Sequence, residues 1–81
     1  MTLVQLAGSL PRNPRFREWA SAFREIHESC FSEEMAAEFI RTNCGVTSRR
    51  DLATNPEAAQ RFENLIRKPF VEWQEHQEQT V

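Results

Sequence analysis

The chain has 81 residues, 27% of them charged, with 10 basic and 12 acidic side chains and a formal net charge of −2. A domain this small buries only roughly 60–65% of the surface its unfolded chain exposes, so its core must be thin and a deep active-site cleft beside that core is disfavoured. The slightly acidic balance gives no global field to draw in nucleic acid or an anionic membrane, so any anion site must be a local patch.

Thr2 with Gln5 three residues on has the form of a capping box, and Leu3, Leu6, Ala7 and Leu10 recur at helical spacing, which predicts a short helix over 3–8. Gly8-Ser9-Leu10-Pro11-Arg12 then turns the chain. Asn13-Pro14 restarts it, with a favoured N-cap followed by proline at the first helical position. Phe16, Trp19, Ala20, Phe23, Ile26, His27 and Cys30 share one stripe, predicting a second helix that ends near Ser29 or Cys30. Ser32 caps a third helix, with Glu33 and Glu34 in its first turn and Ala36, Phe39, Ile40 and Asn43 facing inward. Gly45 stands where a left-handed closing residue is wanted.

Ser48 with Asp51 opens a fourth, short helix of one or two turns that ends at Ala53 or Thr54. Asn55-Pro56 repeats the earlier start signal. From there Ala59, Phe62, Leu65, Ile66, Pro69, Phe70 and Trp73 keep a helical rhythm through the proline, which must kink the helix near residues 65–68 or break it. The polar stretch 75–81 is expected to be a disordered tail. The pattern is all-α: one domain over 1–81, a small bundle of about four main helices with short connecting turns and a Pro-kinked C-terminal helix. Phe23, Phe39, Phe62 and Ile66 are expected to meet in its core.

Cys30 and Cys44 lie fourteen residues apart with no second pair. Neither a disulfide framework nor a zinc set fits that count, so both are expected to be buried thiols of a reducing compartment. No metal or cofactor is expected. The opening Met1-Thr2-Leu3-Val4-Gln5-Leu6-Ala7-Gly8 lacks a basic region followed by a long apolar run, and no segment approaches a bilayer span. A cytoplasmic protein without membrane association is the expectation. His27 with Glu28 and Cys30 makes no nucleophile–base geometry on a helix, and two glycines thirty-seven residues apart make no phosphate loop. No enzyme is expected.

The arginines carry the functional signal. Glu57 and Arg61, Glu63 and Arg67, Lys68 and Glu72, Arg24 and Glu28, Arg15 and Glu18, and Glu38 and Arg41 stand three or four apart and describe a solvated, neutralised face. Arg12, Arg17, Arg49 and Arg50 have no such neighbour. Arg49 and Arg50 also fall in the first turn of a helix, where cations are disfavoured by the helix dipole and only Asp51 is close. If the Gly45 turn folds back towards the second helix, the four could form a patch for an acidic protein surface or for phosphate. Trp73, after Phe70, is a candidate interface anchor, although it is also in register with Phe62 and Ile66.

The order helix, Cys44-Gly45-Val46 turn, helix resembles the DNA-binding helix-turn-helix, whose second helix reads the major groove. Arg41 and Asp51 depart from its pattern, and Asn55-Pro56 stops the second helix after roughly six residues, too short for a groove. The whole chain resembles the short, arginine-rich helical accessory proteins of temperate bacteriophages and prophages, through Phe39-Ile40-Arg41, the run Cys44-Gly45-Val46-Thr47-Ser48-Arg49-Arg50-Asp51-Leu52, and Asn55-Pro56-Glu57-Ala58-Ala59. That resemblance implies a phage or bacterial origin. The reading favoured by the sequence is a non-enzymatic module that binds another protein, with nucleic-acid binding through Arg12, Arg17, Arg49 and Arg50 as the alternative. No feature of the sequence sets an oligomeric state.

Overall fold

The protein was analysed as a computed structural model that describes residues 2–25 and 27–79, apart from the side chains of Glu28, Glu78 and Gln79. Helix α1 (Leu3–Ser9) opens with both hydrogen bonds of the capping box: Gln5 N–H donates to Thr2 Oγ1 at 3.2 Å and Thr2 N–H to Gln5 Oε1 at 3.1 Å. A 3₁₀ turn, Leu10–Arg12, leads to Asn13, whose side chain accepts the Arg15 N–H at 2.9 Å and starts α2 (Pro14–Phe23).

The second helix is shorter than its apolar stripe predicts. It ends at Phe23, and Glu25 follows with φ +54, a left-handed conformation through which a right-handed helix cannot continue. His27 and Cys30 therefore leave the stripe and sit around a short 3₁₀ turn, Glu28–Cys30, on the surface. Ile26 lies outside the described residues. The expectation that both cysteines are buried is corrected at Cys30, which is exposed, while Cys44 is fully buried; both are free. Burial pushes the Cys44 thiol up from its ordinary value, against the smaller opposing pull of Arg61. A thiol reagent added to native protein should thus give a single adduct at Cys30 by peptide mass mapping, with Cys44 reacting only after denaturant is added; equal labelling of both would contradict the burial.

Helix α3 (Glu33–Cys44) begins with Ser32 Oγ accepting the Met35 N–H at 3.1 Å and ends at Gly45, φ +70. There Val46 N–H donates to Arg41 O at 3.1 Å and Gly45 N–H to Thr42 O at 3.3 Å, the paired bonds of a Schellman closure. Ser48 caps a five-residue 3₁₀ helix, Arg49–Ala53. Asn55 Oδ1 accepts from Glu57 and Ala58 and starts α4 (Pro56–Phe62), which passes through a π turn, Glu63–Arg67, into α5 (Lys68–Gln79). The disturbance expected at Pro69 takes this form: the Lys68 N–H reaches back five residues to Glu63 O, and the widened turn accommodates a ring that lacks a donor of its own. The stretch expected to be disordered from residue 75 continues α5 as far as Gln79; Thr80 and Val81 lie outside the described residues.

All regular elements among the described residues are helical, and they form a bundle of four main helices if α4 and α5, joined without a break through the π turn, are counted as one. α2 packs on α3 and α5, α3 on α4, and α1 on residues 49–53 and on α3. The aromatic centre is Phe16, with ring centroids 5.7 Å from Trp19, 6.3 Å from Phe39 and 5.3 Å from Phe70. Phe39, Phe62 and Ile66 are buried as expected. Phe23 is not: it is 64% exposed, because α2 stops there and its ring can only lean on Trp19 and Phe39 at the rim of the core.

Candidate functional site

Two stretches far apart in sequence deliver arginines to one place. Arg12 ends the Leu10–Arg12 turn, which is anchored by buried Leu10 and Pro11. Arg49 opens the 3₁₀ helix whose Leu52 is buried, and packing of that helix on α1 lays the Arg49 guanidinium against Gly8. A Cβ at Gly8 would overlap that guanidinium, so the glycine is what lets the planar group lie on the backbone of α1.

Arg12 and Arg49 line a groove of about 450 Å³ together with Arg41, and Glu33 and Glu34 from the first turn of α3 line the same groove. Ala7, Gly8, Pro11, Ala37 and Ile40 complete its wall. Among the described residues, Arg12, Arg41 and Arg49 make no ion pair and their side chains make no hydrogen bond, so their donors remain open to a ligand. The arrangement can offer planar, bidentate donors to a carboxylate or a phosphate, with carboxylates a short way off to accept a cation.

The other two arginines of the expected patch separate from it. Arg17 is occupied by the fold: its Nη1 donates to Pro11 O at 2.7 Å and lies 3.9 Å from Glu33 Oε1. This ties the Leu10–Arg12 turn to α2 and to the start of α3. Sequence spacing of opposite charges misses it because the main partner is a backbone carbonyl. Arg50 is exposed, gives its backbone N–H to Ser48 Oγ and does not line the groove. Of the pairs expected from spacing, Glu57–Arg61 at 3.7 Å and Glu63–Arg67, with Arg67 Nη2 2.6 Å from Glu63 Oε2, form. The Arg67 hydrogen bond holds the Glu63 carboxyl below its ordinary value. Arg61 also donates to Cys44 O at 3.1 Å, closing the end of α3. The pairs Lys68–Glu72, Arg15–Glu18 and Glu38–Arg41 do not form, and Glu28 lies outside the described side chains.

Trp73 is half-buried, stacked on Phe70 at 6.1 Å and 22°, and so takes part in the core; its outer edge meets Phe23 and Trp19 in a second, apolar groove. Phe23 and Leu65 are the exposed large apolar residues among those described; Phe23 is expected in the core from its spacing, and Leu65 shares the helical rhythm of the buried Phe62 and Ile66. His27 Nδ1 lies 2.8 Å from Ser29 Oγ on the exposed turn after α2, outside the helix whose stripe its spacing predicts it to join. No group of three metal-ligating His, Cys, Asp or Glu side chains occurs among the described residues, and no helix among them is long and apolar enough to cross a membrane. The helix after Gly45 is the five-residue Arg49–Ala53, which rests against α1 rather than standing free to enter a groove of DNA. No protein-family model, curated protein or solved structure matches the chain.

Proposed function

We propose that this chain is a non-catalytic, cytoplasmic binding module, of the small helical accessory kind found in phages and their bacterial hosts, that recognises a carboxylate-bearing surface of another protein through Arg12 and Arg49. The observation that carries this reading is the shared groove: the unpaired guanidinium groups of Arg12 and Arg49, from segments thirty-seven residues apart, with that of Arg41 beside them and Glu33 and Glu34 on its wall. A polypeptide of mixed charge satisfies both signs. A continuous phosphate backbone would meet the two glutamates as well as the arginines, and like charges at close range oppose its binding.

Nucleic-acid binding is the second reading, favoured by the same convergence of Arg12 and Arg49, and one experiment separates the two. Tagged wild type and the double variant Arg12→Glu, Arg49→Glu are compared by quantitative capture from bacterial lysate treated with nuclease, with circular dichroism melts run in parallel. The expected result is a protein enriched by wild type and lost from the variant while the melt is preserved. Equal enrichment by both proteins would overturn the reading. Fluorescence anisotropy on single- and double-stranded DNA completes the comparison, and an affinity that falls steeply with salt would transfer the assignment to nucleic acid.

A further inference from the structure

The groove between Phe23 and Trp73 sets a carboxylate among aromatic rings. Trp19 and Phe23 stand four residues apart on α2, with ring centroids 5.0 Å apart and planes inclined at 70°, and Trp73 comes from α5, held by its stacking on Phe70. Phe23 and Trp73 make no ring contact with each other, and the groove is the space between them, about 410 Å³, a volume within the range of small-molecule sites. Glu18 and Ala22, also four apart on α2, complete that side. Ala22 intrudes only a methyl, and Glu18 brings a negative charge.

Glu18 is exposed and makes no ion pair among the described residues, although it also borders a groove lined by Arg15 and Arg17. Arg24, the cation next to Phe23 in the chain, lines the neighbouring groove with Leu65 and not this one. An apolar occupant would gain nothing from the Glu18 charge and would desolvate it. A cation gains twice, from the carboxylate and from the negative faces of the rings.

The kind of cation follows from what the walls lack. A primary ammonium carries three N–H donors and a guanidinium five, and each costs free energy when it leaves water unpaired. Among the lining side chains only those of Glu18 and Gln77 have acceptors. A quaternary ammonium has no donor to satisfy, and its methyl groups pack on rings as a hydrocarbon does. We infer that this groove binds a small quaternary ammonium ion of the choline kind, with Phe23 and Trp73 as its aromatic walls and Glu18 as its counter-ion. It shares no residue with the Arg12–Arg49 groove, so the failure of either reading leaves the other standing.

The test is a titration of purified full-length chain with choline chloride at constant ionic strength, read by tryptophan fluorescence, because both tryptophans of the chain border the groove. A saturable change is the expected result. The neutral carbon isostere of choline, in which a tert-butyl group replaces the trimethylammonium, should bind roughly tenfold more weakly, and so should ethanolamine. Phe23→Leu, which keeps apolar bulk and removes a ring, and Glu18→Gln should each weaken choline binding by roughly three- to tenfold. Both positions are exposed, so their melts should stay close to that of wild type. A titration without saturable change, an isostere that binds as tightly as choline, or a Phe23→Leu or Glu18→Gln protein that binds choline like wild type would each overturn the site. Ethanolamine binding as tightly as choline would overturn the quaternary class.

Discussion

Phe16→Ala should remove about 3–5 kcal/mol of stability, the range measured for deleting a buried phenylalanine ring. Phe16 is fully buried and is the ring on which Trp19, Phe39 and Phe70 converge, so its loss leaves a cavity lined on three sides by rings held by different helices. Those helices, α2, α3 and α5, cannot all move inward together without breaking their other contacts, and the void persists. A domain of this length holds about 4–12 kcal/mol in total, so the variant loses a quarter or more of its stability and its unfolding midpoint should fall sharply. Urea unfolding followed by tryptophan fluorescence reads this directly, because Trp19 borders the cavity. Phe23→Ala serves as the control: the same chemical change at an exposed rim position should shift stability by less than about 1.5 kcal/mol. A Phe16→Ala protein no less stable than Phe23→Ala would refute the assignment of the core.

Gly45→Val should lower stability by about 2 kcal/mol, which for a domain this small moves the thermal midpoint down by about 10 °C. The residue has φ +70, where a side chain is strained and a β-branched one most of all. A Cβ there would also come within 3.2 Å of Arg61 Nη1, the group that caps Cys44 O. Both effects act on the closure of α3, so the strain and the loss of the cap combine. Gly45→Asn, which tolerates the left-handed region, should lose less than half as much. Differential scanning calorimetry of the two variants decides the matter, and a Val variant that melts with wild type would show that the left-handed closure contributes nothing.

Helix beginnings were legible in the sequence because their chemistry is local. Thr2, Asn13, Ser32, Ser48 and Asn55 each bond a backbone N–H two or three residues on, and residue type and spacing alone announce that. The end of α3 was legible for the same reason, through Gly45. The end of α2 was not, since the left-handed residue there is Glu25, whose side chain gives no sign of it. The last helix was read with the wrong period. Its π turn keeps residues four apart in line, so Ala58, Phe62, Ile66 and Phe70 are buried, whereas the ordinary helical stripe also claimed Leu65, which the wide turn directs outward.

Of the site, the unpaired character of Arg12 and Arg49 was visible in their neighbours; their convergence was not, because residues 49–53 pack on α1 rather than folding back onto the second helix as expected from the Gly45 turn. Arg17 could not be separated from Arg12 and Arg49, because a backbone carbonyl six residues away leaves no mark in charge spacing. Phe23 as a surface feature was invisible for a related reason: a stripe tells which residues point one way, not where the helix beneath them stops.

The contact between α1 and residues 49–53 links occupancy to order. A seven-residue helix is far too short to persist alone in water, so α1 exists by virtue of what it rests on, and Gly8 brings with it one wall of the arginine groove. Whenever α1 detaches, the groove loses the wall formed by Ala7 and Gly8, against which the Arg49 guanidinium lies. The apparent affinity for any ligand bridging Arg12 and Arg49 is therefore the intrinsic affinity reduced by the fraction of molecules with α1 seated. By reciprocity, a bound ligand holds the first helix in place, and amide exchange along residues 3–9 becomes a reporter of an event on side chains at 12 and 49.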